Sequence, residues 1–330
     1  MNKTTTFRQL NAIDAVARLG GVSRAAEELH LTQPTVSLQL RLLEEATGTP
    51  LVQRSGRGLL MTPAGEVMAG YASQILKLWR DAVEEVAALR GGIAGTLRVG
   101  AITTAEYLLP QMLVAFTQCN PDVKIVLRVG NREEIVRMLG MHEIDLAIIG
   151  RPPSELRTNA VAFAKHPMAF IAAPDHPLMS RRHNTLRDLL TENLLVRERG
   201  SGTRDTVERL FREAGLRLPH GSELSSNAAI KRMVSAGLGI AFLSLHACTL
   251  EFEAGLIDVL PLAGNPLERD WYVAHLPAVR LPPVASAFRA FLVENGPEEI
   301  HRQLESFDGI LKRLHQSERR RAKLRGSVQK

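Results

Sequence analysis

The sequence predicts an α/β protein carrying a small helical module at its front, and three observations support this. The first ninety residues hold three short helical patterns, a hairpin pattern and one long helical pattern. From residue 96 onward β-rich runs alternate with amphipathic helical runs, as they do in α/β folds. The chain has 330 residues, which at roughly 100–200 residues per domain makes two or three compact units.

Composition narrows the class. Apolar residues make up 45% of the chain and aromatics 5%, and no uninterrupted apolar run reaches the ~18 residues of a membrane span. The opening stretch MNKTTTFRQLNAID has no apolar signal-peptide core, and Cys119 and Cys248 make no disulfide framework, so a cytoplasmic location is expected. The net charge of +6 is a property of the tail: residues 312–330 contain eight Lys/Arg and one Glu. Such a run reads as a solvated end that attracts nucleic acid non-specifically. It does not by itself make a DNA-binding protein.

In the first element, FRQLNAIDAVARL, Phe7, Leu10, Ile13 or Asp14, Ala17 and Leu19 recur at helical spacing, and Gly20-Gly21 stops the run. Ser23 is expected to cap a second short helix, in which the small Ala25 and Ala26 allow close packing and Leu29 faces inward. Thr32 caps a third, and Pro34 is tolerated in its first turn, where no intrahelical N–H bond is lost. Val36, Leu40 and Leu43 form its core stripe, which leaves Gln33, Thr35, Ser37, Gln39 and Arg41 free. Two short helices joined tightly, the second with such an outer face, make a helix-turn-helix. Gln can pair with adenine, Arg with guanine or phosphate, and hydroxyls with either. The alternative is an ordinary solvated helix in a small bundle.

Residues 51–62, LVQRSGRGLLMT, then alternate around Ser55-Gly56 and Gly58 like a small hairpin, with Arg54 and Arg57 near its tip. As a wing beside a reading helix, it would set both arginines against the phosphate backbone or minor groove. From Thr62-Pro63 a long helix runs to about Arg90, with Val67, Tyr71, Ile75, Leu78, Ala82, Val86 and Leu89 on one seam. That seam suits a partner helix, hence a dimer, or packing on this chain's own core.

These residues carry a resemblance. SRAAEEL-x-LTQPTVS-x-QLR-x-LEE, followed by GTPLV-x-R and LMTPAG, is similar to the winged helix-turn-helix of LysR-type transcriptional regulators over residues 7–90. The resemblance implies that Ser23, Thr32, Gln33, Pro34, Thr35, Ser37, Gln39 and Arg41 meet DNA, with Arg54 and Arg57 from the wing. Leu38 departs from the pattern, standing where many members place Arg or Gln.

After a hinge at residues 91–95, TLRVGAI (96–102), KIVLRVG (124–130) and IDLAIIG (144–150) read as strands separated by helices, which predicts a parallel sheet. A second set follows with MAFIAAP (168–174), NLLVRERG (193–200), a helix over 203–215, then LSSNAAIKRMVSAGLGIAFLS. DWYVAHL (270–276) and a last helix VASAFRAFLVEN return the chain to the first of two lobes.

Ligands of open α/β sheets sit beyond the carboxyl ends of strands. Thr103-Thr104, Gly200-Ser201-Gly202-Thr203-Arg204 and Ser225-Ser226-Asn227 each stand at a strand end before a helix. Helix N-termini, hydroxyls and Arg204 together suit an acidic ligand. GSGTRD is alternatively a plain capped turn, and it lacks the third glycine of a dinucleotide fingerprint, where Asp205 stands. No G-x-S-x-G, H-E-x-x-H or C-x-x-C occurs, the ten histidines are scattered, and Asp145 and Glu198 lack a visible catalytic partner. An enzyme is therefore not expected.

NREEIVRML, IDLAIIGRPPSEL, RERGSGTR, SSNAAIKRMVSAGLGIAFLSLH and GNPLERDWYVAHL resemble the effector domain of CbbR-type regulators of RuBisCO and Calvin-cycle operons, over about residues 96–295. This implies two periplasmic-binding-protein-like lobes with a pocket between them for a phosphorylated metabolite or NADPH. The matching pocket positions are Thr103, Thr104, Asn131, Arg151, Ser201, Gly202, Thr203, Arg204 and Asn227. It also implies a dimer of dimers that bends promoter DNA and engages RNA polymerase, with no resident cofactor, metal or membrane contact. The division expected is 1–62 DNA-binding domain, 63–90 linker and dimerisation helix, 91–295 effector domain, and 296–330 basic tail. Lobe 1 would take about 91–161 and 269–295, and lobe 2 about 162–268. The alternatives are a related regulator of one-carbon assimilation or aromatic-acid catabolism and, from another class, a solute-binding receptor.

Overall fold

The structure is a computed structural model that describes residues 5–55, 58–88, 93–181, 183–219, 221–277, 280–300 and 302, with residues 54, 55, 58, 87 and 88 described in backbone only. It divides into two compact units, one of Met1–Gly92 with Met141–Glu143 and one of Ile93–Gly140 with Ile144–Lys330. Residues 91 and 92 of the expected hinge, Arg57, Leu89 and the basic run 312–330 fall outside the described residues, while Gly95 of that hinge opens a strand.

In the first unit, helices α1 (Phe7–Leu19), α2 (Val22–Glu28) and α3 (Gln33–Thr47) precede a hairpin of β1 (Val52–Ser55) and β2 (Gly58–Met61), and α4 (Pro63–Ala88) follows. Leu10, Ile13, Val16, Ala25, Val36, Leu40, Leu43, Leu51, Ala72 and Leu76 pack into one core. Two local expectations need correction. Phe7 is 46% exposed and lies against Trp79, because Gln9, Ala12 and Ala15 share the buried face of α1 instead. The N-cap of α2 is Gly21 rather than Ser23, which lies inside the helix.

The wing is tied to the end of α3 by one side chain. Glu44 Oε1 accepts from the backbone N–H groups of Leu51 at 2.8 Å and Val52 at 3.2 Å. Thr62 caps α4 by accepting from Gly65 N–H at 3.0 Å, and its own hydroxyl donates to the Pro50 carbonyl at 2.8 Å. At Gly65 a Cβ would lie 1.9 Å from the Leu51 carbonyl oxygen, so the closing glycine of LMTPAG is needed for close approach.

The second unit holds two five-stranded sheets. Lobe 1 contains β3 (Gly95–Ile102), α5 (Leu109–Cys119), β4 (Val123–Gly130), α6 (Arg132–Gly140), β5 (Leu146–Ile149) and β6 (Asn159–Lys165). Lobe 2 contains β7 (Met168–Ala172), β8 (Leu194–Arg197), α7 (Gly202–Glu213), β9 (Ser222–Leu224), α8 (Asn227–Ser235), β10 (Ile240–Ser244), α9 (Thr249–Glu253) and β11 (Asp258–Val259). The chain then returns to lobe 1 through β12 (Asp270–His275) and a helix α10 over residues 283–300. The sheet orders are β4-β3-β5-β12-β6 and β11-β7-β10-β8-β9.

The expectation of a parallel sheet is corrected to mixed sheets. β3 is parallel to β4 and β5, and β8 to β9 and β10, but β12 runs antiparallel to β5 and β6 and β7 antiparallel to β10 and β11. The antiparallel strands are the ones that carry the chain between lobes. β6, which the sequence reading did not identify, pairs with β12 as far as Lys165, so the first sheet runs past the expected lobe limit at 161. Likewise α10 continues past 295 because Ile300, 1% exposed, packs in the lobe 1 core with Phe288 and Leu292.

Gly65→Ala is expected to destabilise the first unit by about 1–3 kcal/mol through overpacking against Leu51. Denaturant melts of parent and variant check it, and an unchanged midpoint would show that the contact relaxes freely.

Candidate functional site

The first candidate surface is α3. Thr32 Oγ1 accepts from the Thr35 N–H at 3.4 Å, and the two hydroxyl oxygens are 2.8 Å apart. Burial of Val36, Leu40 and Leu43 turns Gln33, Pro34, Ser37 and Arg41 outward, with Thr35 and Gln39 half-buried. Leu38, at 49% exposure, lies on the same outer side. The chain reverses between α2 and α3 at His30, whose φ is 54°. Ser23 is exposed on α2, Arg54 is described in backbone only within β1, and Arg57 lies outside the described residues.

The second is a cavity of about 180 Å³ between the lobes. Ile102, Thr104, Arg132, Gly150, Arg151, Ser154 and Glu155 line it from lobe 1, and Met168, Gly202, Thr203, Asp205, Thr206 and Arg209 from lobe 2. His166 and Arg269, beside the two crossings between lobes, complete the wall. The N-terminus of α7, capped by Ser201, adds its partial positive charge.

The wall is strongly cationic. Burial, then the charges of Arg209, Arg151 and Arg132, pull the Arg269 pKa below its ordinary value. Its guanidinium donates to Thr206 Oγ1. Arg132 is met by Glu155, whereas Arg151 and Arg209 make no ion pair with any described residue. The neighbouring guanidinium charges thus act against the charged form of Arg269.

His166 lies beside them, 2% exposed, with neither ring nitrogen hydrogen-bonded to any described residue. Its ring stacks on Trp271 at 3.8 Å between centroids, and His246 stands 6.1 Å from both. Trp271 Nε1 and His246 Nε2 also have no hydrogen-bond partner among the described residues. Burial, His246 and Arg269 hold the His166 pKa well below its ordinary value, and burial lowers that of His246 to about 4. At Gly150 a Cβ would sit 2.9 Å from His166 Nδ1, so only glycine leaves the ring its place.

Comparison with known proteins bears on both regions. Residues 7–66 match the bacterial regulatory helix-turn-helix protein of the lysR family, and residues 90–297 match the LysR substrate binding domain. The chain belongs to the LysR family of transcriptional regulators. It is 45% identical over 287 residues to the HTH-type transcriptional regulator CbbR of Rhodospirillum rubrum, covering 87% of this chain and 95% of that one. It is 41% identical over 301 residues to the HTH-type transcriptional regulator CfxR of Cupriavidus necator, covering 91% and 95%. Among solved structures, the CcmR regulatory domain of Synechocystis in complex with 2-PG is 36% identical with a TM-score of 0.58, covering 61% of this chain and 96% of that one.

In this LysR-family protein the structure gathers only part of the sequence-predicted pocket. Thr104, Arg151, Gly202 and Thr203 line the cavity. Thr103 Oγ1 and Asn227 Oδ1 instead accept from the buried Arg197 at 3.1 and 2.6 Å. Ser201 caps α7, and Asn131 caps α6 by accepting from the Glu134 N–H at 3.0 Å. Arg204 is the main correction. It pairs with Glu208 at 2.7 Å and with Glu223, and donates to the Arg197 carbonyl at 3.1 Å, so its charge is already met away from the cavity.

The reason is helical phase. Gly202, Asp205 or Thr206 and Arg209 recur on the α7 face that meets the cavity, and Arg204 lies off that face. The spacing made Arg209 readable in the sequence, but nothing local marks His166, Arg132 or Arg269. They become neighbours only when the lobes pack.

Buried neutral histidines set a pH dependence. With His246 depressed to about 4, the unfolded chain binds a proton below about pH 6.5 that the folded protein refuses. Stability is therefore expected to fall by about 1.4 kcal/mol per pH unit for this group as pH drops from 6.5 toward 4. Denaturant melts between pH 7 and 5 should show a shallower decline in His246→Gln than in the parent.

Proposed function

We propose that this LysR-family regulator controls carbon-fixation genes and that a compact phosphorylated acid bound between its lobes changes how it acts on DNA. The observation that carries the ligand class is the convergence of Arg132, Arg151, Arg209 and Arg269 on one cavity against two carboxylates, Glu155, which pairs with Arg132, and Asp205. Phosphate oxygens suit guanidinium forks and a helix N-terminus. The RuBisCO operon regulator of Allochromatium vinosum, 39% identical over 288 residues, supports the choice of target genes, as do CbbR and CfxR. The bound 2-PG of CcmR, 2-phosphoglycolate, supports the choice of ligand class. A cavity of about 180 Å³ favours such a small acid over NADPH, since drug-sized ligands ordinarily occupy about 300–1,000 Å³.

Operator reading is assigned to the outward side of α3. Gln33, Ser37 and Arg41 recur four residues apart and present donors and acceptors along one side, with Gln39 on another side of the helix and Thr35 adding a hydroxyl near the first turn, the part of a reading helix that enters the major groove. Thr32 acts as the cap that exposes this turn. Self-association is assigned to α4, whose seam is left uncovered: Tyr71 is 61%, Leu78 60% and Val86 65% exposed, with Trp79 and Val83 beside them. A helix that buries Ala69, Ala72 and Leu76 against its own core while exposing this row fits a second copy's α4.

Three measurements test this reading. Thermal-shift titration is expected to show saturable stabilisation by 2-phosphoglycolate that drops at least tenfold in apparent affinity in Arg151→Ala and stays near parent in Arg204→Ala. The reverse order would overturn the cavity assignment. Arg41→Ala is expected to weaken operator binding in a gel-shift titration by about 1–3 kcal/mol while leaving ligand binding alone. Leu78→Glu is expected to convert the assembly to smaller species in sedimentation velocity, and an unchanged profile would move the interface elsewhere.

A further inference from the structure

Arg132 opens α6, and Glu155 lies in the irregular segment that joins β5 to β6. Their contact is a two-pronged fork, Nη1 to Oε1 at 2.7 Å and Nη2 to Oε2 at 3.1 Å. This is the geometry in which a guanidinium receives the carboxylate or phosphate of a ligand. Both side chains line the cavity.

Three further observations bear on what this pair does. Arg132 is the one arginine of the wall whose charge is met by a carboxylate among the described residues; Arg151, Arg209 and Arg269 face the cavity without one. Arg132 holds the Glu155 pKa down at about 2, so the carboxyl stays charged at physiological pH and a proton does not release the fork. Apart from this fork, Glu155 receives the Ser154 hydroxyl at 3.3 Å and its own backbone N–H, and its side chain is 49% exposed. It can swing into solvent without breaking a strand or helix.

We propose that Glu155 is a built-in competitor for the effector's anionic group, holding Arg132 until a ligand displaces it, and that it selects for multiply charged acids. The inference rests on reading the cavity as the effector site. A singly charged acid that takes the fork exchanges one negative charge for another while Glu155 remains nearby. A phosphorylated acid brings charge enough for Arg132 and for the unmatched arginines together, and so gains more than it displaces. The repulsion among the guanidiniums supplies the demand, and Glu155 sets how much charge a ligand must bring.

Isothermal titration calorimetry of the full chain, with 2-phosphoglycolate and glycolate as probes, tests this in parent, Glu155→Gln, Arg132→Gln and the double variant. Glu155→Gln is expected to bind 2-phosphoglycolate roughly tenfold more tightly and to gain more still toward glycolate, so that the preference for the phosphorylated acid shrinks. In the Arg132→Gln background the gain is expected to disappear, because the fork being competed for is gone. A gain of affinity cannot arise from misfolding. Unchanged or weaker binding in Glu155→Gln overturns the inference while leaving the effector site in place. So does an equal gain without Arg132, which would reduce the effect to general charge. Absence of 2-phosphoglycolate binding in all four proteins overturns the site assignment and this inference with it. Binding in Glu155→Gln alone supports both.

Discussion

Arg132, Arg151, Arg209 and Arg269 come from four separate parts of the second unit, and the fold brings them to one cavity against their mutual repulsion. A charge cluster of that kind is costly in a protein that binds nothing, since replacing a guanidinium by a neutral side chain would relieve it. Under the proposed function the cost falls on the free state and an arriving anion would recover it, so part of the binding affinity would be stored in the unliganded protein. The cavity is also where the lobes meet, so an anion that draws the arginines together acts on both lobes at once.

A second connection between the lobes lies close by. Arg197 is 2% exposed and pairs with Glu198 at 2.7 Å while donating to Asn227 in its own lobe and to Thr103 in the other. Thr103 precedes Thr104, which lines the cavity. A buried guanidinium with five hydrogen bonds, two to Glu198 and one each to Thr103, Asn227 and the Ser225 carbonyl, resists displacement, because breaking any one would leave polar groups unsatisfied in a low-dielectric interior. The residues nominated as an anion pocket by sequence are therefore partly occupied by the protein's own cation. Cavity-lining and lobe-joining side chains sit side by side on Thr103-Thr104 and on the segment from Arg197 to Thr203.

The first unit divides its labour by helical face. On α3 the inner stripe of Val36, Leu40 and Leu43 closes the core, the outer polar side is free, and Glu44 near the carboxyl end fastens the wing strand. On α4 one face completes the same core through Ala72 and Leu76, and the opposite apolar row remains uncovered. Each helix thus has one face committed to folding and one left for function. Leu38 shows the limit of that division, being apolar on the side available to DNA.

The sequence by itself determined the elements whose cause is local. The α3 stripe, the Thr32 cap, the hairpin and the long seam all follow from side-chain spacing within one element, and there the reading and the structure coincide. The family resemblance, carried by contiguous motifs, belongs to the same class. What the tertiary structure decided was set by groups distant in the chain. Strand direction in the two sheets depended on how the chain crosses between lobes. Ser23 lost its capping place to Gly21 by a shift of two residues, and Ile300 kept the last helix going by finding a place in a remote core. Arg204 was drawn to Glu208 and Glu223, although its local sequence looked like an anion site. His166 and Arg269 entered the cavity from the crossings without any motif. Spacing along a helix or strand is written in the order of residues, whereas which charges finally meet depends on the packing of surfaces that the order brings together only after folding.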